Sequence, residues 1–142
     1  MNHPQLYTAA IEDCTQAIRL NPKYAESYIN RGYAHFRLGK TKADQGDISG
    51  AQELYAAAVQ DFTEAIQLNP KNAYAYGNRG VAKAVLGDAE GAIKDFDAAI
   101  RINPEYTEIY YDRGRAKERL GQHEAAQVDF KKAKELNSDV EK

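Results

Sequence analysis

The chain contains three histidines and one cysteine, and their spacing limits what chemistry they could do. His3, His35 and His123 stand far apart, none at metal-ligand spacing from another histidine or from Cys14. No metal and no cofactor is therefore expected. Cys14 fills a position held by Phe62, Phe96 and Phe130 in matching segments, which fits packing better than nucleophilic attack. A lone cysteine excludes an internal disulfide framework and suits a reducing compartment, with the cytoplasm as the default. No glycine-rich loop has phosphate-binding form; the Arg-Gly and Leu-Gly pairs read as packing and turn glycines. No enzyme is expected.

One recurring charged pair remains. Arg31, Arg79 and Arg113 recur in one kind of segment, while Asp13, Asp61, Asp95 and Asp129 each precede the Cys/Phe position by one residue. Stacking of segments would bring the arginine of one unit near the aspartate of a neighbouring unit. Such a partly buried ladder would set register between units rather than bind a ligand.

The elements that carry these residues repeat. Phe62, Phe96 and Phe130 are 34 residues apart, as are Asn69-Pro70, Asn103-Pro104 and Asn137-Ser138. Arg79-Gly80 returns as Arg113-Gly114 and Leu86-Gly87 as Leu120-Gly121 at the same interval. A fixed period of this size marks stacked helical units. Residues 71–104 show the unit whole: two short amphipathic helix patterns, a turn at Leu86-Gly87-Asp88 and a stop at Asn103-Pro104.

Residues 6–20 carry Leu6, Ala10, Ile11, Cys14, Ala17 and Ile18 on one helical face and end at Asn21-Pro22. They match only the second half of a unit, with Ala10, Cys14 and Ala17 corresponding to Ala92, Phe96 and Ala99. The next unit is too long. Its first-helix features recur after 48 residues rather than 34, an insertion of 14 between about Lys40 and Ala58. Ile48, Ala51, Tyr55, Ala58, Phe62 and Ala65 nevertheless keep helical spacing without a break. The insertion therefore reads as about seven residues added to each helix, roughly 10 Å of extra hairpin. Asp44-Gln45-Gly46-Asp47 is the expected turn, with Asp47 placed to cap the following helix. Gly32, Gly80 and Gly114 each cost about 1 kcal/mol inside a helix; close approach to small residues such as Ala58, Ala92 and Ala126 would justify them.

The expected fold is all-α: a right-handed superhelical stack of antiparallel helix pairs, about three and a half units in one domain spanning 1–142. The second helix of an incomplete unit would cover 6–22, a lengthened unit 25–70, a regular unit 73–104 and a final unit 107–137. In that last unit, Gln127 and Lys134 replace outward apolar residues, as a terminal cap requires, and 138–142 should fray. At the other end, the face of 6–20 lacks a partner. A longer array or a second copy would cover it.

Charge and hydropathy narrow the partner. Nineteen basic and 21 acidic residues leave a net charge of −2, with no long-range field to attract nucleic acid or an anionic membrane. No apolar run approaches the ~20 residues needed to span a bilayer, and the start lacks a signal-peptide pattern.

The unit Tyr76-x2-Arg79-Gly80-x2-Lys83…Ala92-x3-Phe96…Pro104 resembles the tetratricopeptide repeat, and the resemblance covers nearly the whole chain. It departs from the family pattern in phase: Tyr28, Tyr76 and Tyr110 stand for Trp, Arg31, Arg79 and Arg113 for Leu, and His35, Lys83 and Lys117 for Tyr. The resemblance implies a non-enzymatic scaffold that holds a peptide or helix on the concave face lined by first helices. Carried over, the groove positions are Glu26, Ile29, Asn30, Tyr33 and Phe36, then Tyr74, Gly77, Asn78 and Val81, then Glu108, Tyr111, Asp112 and Arg115. Aromatic rings among amides suit an extended peptide. The peptide-binding candidates are Asn30, Tyr33, Phe36, Tyr74, Asn78, Tyr111, Asp112 and Arg115, while Tyr28, Tyr76 and Tyr110 read as packing residues. Some family members clamp a chaperone tail's carboxylate with Lys, Asn and Arg. Glu108 and Asp112 stand where that clamp needs cations, so the expected partner is a neutral or basic protein or peptide. The rival reading is an assembly module, using the uncovered N-terminal helix and the hairpin at 41–57, with a homodimer through that helix as one form.

Overall fold

The computed structural model describes residues 2–140, with side chains through 138. Among the described residues there are seven helices and no strand: α1 (His3–Leu20), α2 (Ala25–Asp44), α3 (Ile48–Leu68), α4 (Ala73–Val85), α5 (Ala89–Ile102), α6 (Thr107–Arg119) and α7 (His123–Val140). They fall into two compact units, Met1–Lys71 and Asn72–Lys142. No described helix is long and apolar enough to cross a membrane.

Local signals set the helix ends. Asp47 accepts a 2.9 Å hydrogen bond from the Gly50 amide, Asn72 one of 3.1 Å from Ala75 and Asp88 one of 2.9 Å from Gly91. Each such cap contributes about 1 kcal/mol. Gly46, Gly87 and Gly121 follow the ends of α2, α4 and α6 at φ of 85°, 91° and 77°, a left-handed backbone that favours glycine. Two ends differ from expectation. α1 begins at His3, ahead of Leu6, because Asn2 and Gln5 form a reciprocal capping box and Pro4 sits in the first turn. α7 runs past Asn137 to Val140, where fraying was expected. Pro22, Pro70 and Pro104 stop the other second helices, but Ser138 follows Asn137, and its hydroxyl donates 3.0 Å back to the Lys134 carbonyl. Glu141 and Lys142 of the expected frayed tail lie outside the described residues.

The first unit packs α1 on α2 and the 20-residue α2 on the 21-residue α3. A Cβ at Gly32 would come within 2.9 Å of the Phe62 ring, and one at Gly39 within 2.7 Å of the Tyr55 ring. Gly39 is seven residues after Gly32, and Tyr55 seven before Phe62. The added two turns on each helix thus repeat the glycine-against-ring contact. In the second unit, Gly80 and Gly114 meet Phe96 and Phe130 in the same way. Gly32, Gly39, Gly80 and Gly114 therefore accommodate aromatic rings, where opposing alanines were expected to be the reason. Phe96 packs in a core of Ala89, Ala92, Ala99, Ile109 and Ala116. α1 is the exception, with no buried residue. Ala10 and Cys14 are half-buried and Ala17 is exposed, although Ala58, Ala92 and Ala126 at the Ala10 position are fully buried.

Candidate functional site

The charged side chains settle first, because those that recur in phase neutralise one another. In the lengthened hairpin, Arg31 grips Asp61 through Nε and Nη2, the latter at 2.8 Å, and His35 Nδ1 lies 2.9 Å from the same carboxylate. Arg79 and Lys83 hold Asp95 at 2.7 and 3.2 Å, and Arg113 and Lys117 hold Asp129 at 2.6 and 2.9 Å. Each guanidinium also lies over a ring three residues earlier, Tyr28, Tyr76 or Tyr110, 5.6–5.8 Å from the centroid. Positions i, i+3 and i+7 share one helix face. The three departures from the family pattern are therefore one cluster: a tyrosine lid, an arginine and a lysine or histidine around a buried aspartate.

This geometry corrects the expected ladder between units. Each clustered aspartate belongs to the arginine's own hairpin. The reach to the preceding helix comes from the remaining guanidinium nitrogen, which bonds Thr15 of α1 from Arg31 (3.2 Å) and Asp97 of α5 from Arg113 (2.8 Å). Asp13 is exposed and joins no such cluster. Tyr28 and Tyr110 are buried and donate to the Pro22 and Pro104 carbonyls at 2.9 and 2.7 Å.

The binding candidates lie on the first helices. In the first unit, Asn30 and Tyr33 are exposed, and Arg37 lies between the Tyr33 and Tyr7 rings at 6.0 and 5.6 Å. Phe36 is half-buried against Tyr55, with ring centroids 5.4 Å apart. Ile29, expected to face the groove, is buried at 3% exposure.

The second unit brings more of the candidates together. Tyr74, Asn78, Tyr106, Glu108 and Asp112 line a groove of about 540 Å³ between α4 and α6. Gly77 lets α6 close in here, since a Cβ would stand 2.8 Å from Ile109 Cδ1. Asn78 donates 2.9 Å to the Tyr74 carbonyl, which fixes its amide and leaves Oδ1 as an acceptor. Asp112 is shared with two adjoining hollows. One, about 660 Å³, includes Tyr111 and Lys134; the other, about 110 Å³, includes Arg115 and Arg119. Arg115 lies over the Tyr111 ring at 6.0 Å, and Arg119 closes the far end by donating 2.9 Å to the Ala84 carbonyl. Tyr74, Asn78 and Asp112 thus share one groove, while Tyr111 and Arg115 adjoin it through Asp112.

Electrostatics single out two residues. Burial, aided by Glu108, Tyr74 and Asp112, pushes the Tyr106 hydroxyl up to about 12. Burial raises the Asp112 carboxyl above its ordinary value; Arg115 opposes the shift and Glu108 adds to it. Tyr106 was absent from the sequence-derived positions because it is the N-cap residue of α6, just outside the helix. Its signal is the recurrence of Pro22-Lys23-Tyr24 as Pro104-Glu105-Tyr106.

Family models described as tetratricopeptide repeats match residues 6–39, 39–107 and 107–140. Among solved structures, the chain is similar to "MamA MSR-1 C2", with a TM-score of 0.75 and 24% identity over 95% of this chain and 70% of that one. It is similar to TTC0263, a thermophilic TPR protein in Thermus thermophilus, with a TM-score of 0.79 and 21% identity over 93% and 66%. It is also similar to the second TPR of Spaghetti (RPAP3) bound to the HSP90 peptide SRMEEVD, with a TM-score of 0.59 and 26% identity over 74% and 91%. No curated protein matches the chain. These likenesses and the seven helices make the chain an all-α helical repeat of the solenoid class.

Proposed function

We propose that the chain, which belongs to the tetratricopeptide repeat family, works without catalysis as a protein-interaction scaffold that holds a peptide or helix in the α4–α6 groove. The observation that carries this reading is the meeting of Tyr74, Asn78 and Asp112 around one open groove. Two tyrosines, Tyr74 and Tyr111, remain 44% and 51% exposed, while Arg79, Lys83, Arg113 and Lys117 are tied up in pairs. Exposed rings beside amide and carboxylate acceptors provide contact area and backbone hydrogen bonds for a bound chain. A similar repeat protein holds the peptide SRMEEVD, which supports peptides as the ligand class. That sequence is acidic, and Glu108 and Asp112 would repel it.

Screening an arrayed peptide library tests the proposal. Capture should fall at least about tenfold, or 1.4 kcal/mol, when Tyr74 and Tyr111 are both changed to alanine. Undiminished capture by that double variant, with its helical circular dichroism intact, would remove the groove from consideration.

A second reading rests on α1. It has no buried residue, and Ala10, Cys14 and Ala17 remain open where their counterparts are covered. A second copy seated on that face would make the chain an assembly module, with the 41–57 hairpin as a further contact. Sedimentation equilibrium should then show a concentration-dependent dimer that Ala10→Glu dissociates. A monomer at all concentrations rejects this reading.

A further inference from the structure

The groove between α4 and α6 has an unbalanced charge. Among the described residues its lining includes two carboxylates, Glu108 and Asp112, and no lysine, arginine or histidine. Neither carboxylate makes a hydrogen bond or an ion pair. Elsewhere in this unit the inward-facing carboxylates Asp95 and Asp129 each hold two cations, so an unpaired acid in a half-buried position departs from the chain's own rule. Arg115 acts on Asp112 through its charge without bonding it and lies over the Tyr111 ring in an adjoining hollow, while Lys134 lines the other hollow beside both carboxylates. Two tyrosines, Tyr74 from α4 and Tyr106 at the N-cap of α6, are part of its lining.

We infer that the α4–α6 groove selects a partner segment carrying a lysine or arginine side chain, which enters between Tyr74 and Tyr106 to pair with Asp112 and Glu108. The inference rests on the peptide-binding reading above and adds the chemistry of the residue recognised. A cation flanked by ring faces and met by carboxylates gains both cation–π and charge-assisted contacts. It also offsets an existing cost, since burial disfavours the ionised form of Asp112, Arg115 only partly opposes that, and Glu108 adds to it. A glutamate or aspartate side chain in the same place would face two like charges. A glutamine would satisfy the hydrogen bonds without the charge. The order of preference is therefore cation, then amide, then acid.

Three blocked tripeptides distinguish these cases: acetyl-Ala-Arg-Ala-amide, its Gln counterpart and its Glu counterpart. Each is titrated into the full chain while amide resonances are followed by two-dimensional NMR. The arginine peptide should shift the Asn78, Glu108 and Asp112 amides, and Asp112→Asn should weaken it at least about tenfold. The Gln and Glu peptides should shift those amides little, and added salt should weaken the arginine peptide alone. Equal shifts by all three peptides, or full affinity in Asp112→Asn, would overturn the cation preference and leave peptide binding standing. No shift in the groove with any of the three would overturn both.

Discussion

Changing Asp129 to alanine is expected to lower thermal stability by roughly 10 °C, about 3 kcal/mol. The carboxylate is nearly fully buried and meets Arg113 through two nitrogens and Lys117 through one. Removing it leaves two cations facing each other without their anion. The range for breaking a buried pair is about 3–5 kcal/mol, and the low end applies because both cations remain 18% exposed and can turn toward water. Arg113 keeps its bond to Asp97 of α5, which is a further reason for the low end of that range. Acid supplies a second readout. Burial opposes ionisation of Asp129, but Arg113 and Lys117 outweigh it and hold the carboxyl below its ordinary value. A carboxylate depressed in the folded state contributes stability that is complete above its unfolded value, about 3.9, and disappears as pH falls through the folded one. Urea midpoints should therefore be level from pH 7 to about 5 and fall below about 4. Asp129→Asn should be destabilised at pH 7 and show a shallower acid loss. An Asn variant with the wild-type acid profile would show that the pair contributes nothing through its charge.

The sequence made that cluster legible in part. Arg31, Arg79 and Arg113 and the aspartates stood out because they recur in phase, and pairing followed from their charge. Which aspartate meets which arginine was not legible, because the period alone does not distinguish a hairpin's own partner from the next unit's. The deciding fact is geometric. Arginine three residues after the tyrosine and Lys or His four residues later share a helix face that turns toward the hairpin's own second helix. Helix content and the two-turn lengthening of α2 and α3 were readable, since Ile48 through Ala65 never leaves helical spacing. Helix ends were less so. Asn2-x2-Gln5 is a capping signal in plain view, and the missing proline after Asn137 explains why α7 continues. The groove was the hardest part. Ile29 shares a spacing class with Tyr33 yet is buried, and Tyr106 lies outside any helix pattern while forming a groove wall.

Gly80→Ala should destabilise the chain by about 1–3 kcal/mol in the wild type and stabilise it by up to about 1 kcal/mol once Phe96 is alanine. The helix itself favours alanine over glycine by about 1 kcal/mol, so any loss must come from packing. An added Cβ would stand 2.6 Å from Phe96 Cε1 and 3.2 Å from the Ala92 carbonyl oxygen. The ring is fully buried among Ala92, Ala99 and Ile109 and has little room to retreat, so the overpacking cost exceeds the helical gain. Phe96→Ala alone should cost about 3–5 kcal/mol, because it leaves a ring-sized cavity facing a residue with no side chain to fill it. In that background only the 3.2 Å contact with the Ala92 carbonyl oxygen remains, and the helical preference for alanine sets the sign. Urea denaturation of the four proteins in this double-mutant cycle measures the coupling directly. Additive effects would mean that Gly80 is kept for a reason other than the ring. The repetition of the pair at Gly32 with Phe62, Gly114 with Phe130, and Gly39 with Tyr55 in the lengthened turns argues for coupling. A chain that adds two turns to a hairpin and places the same glycine against a ring there is using that contact to keep the helices in register.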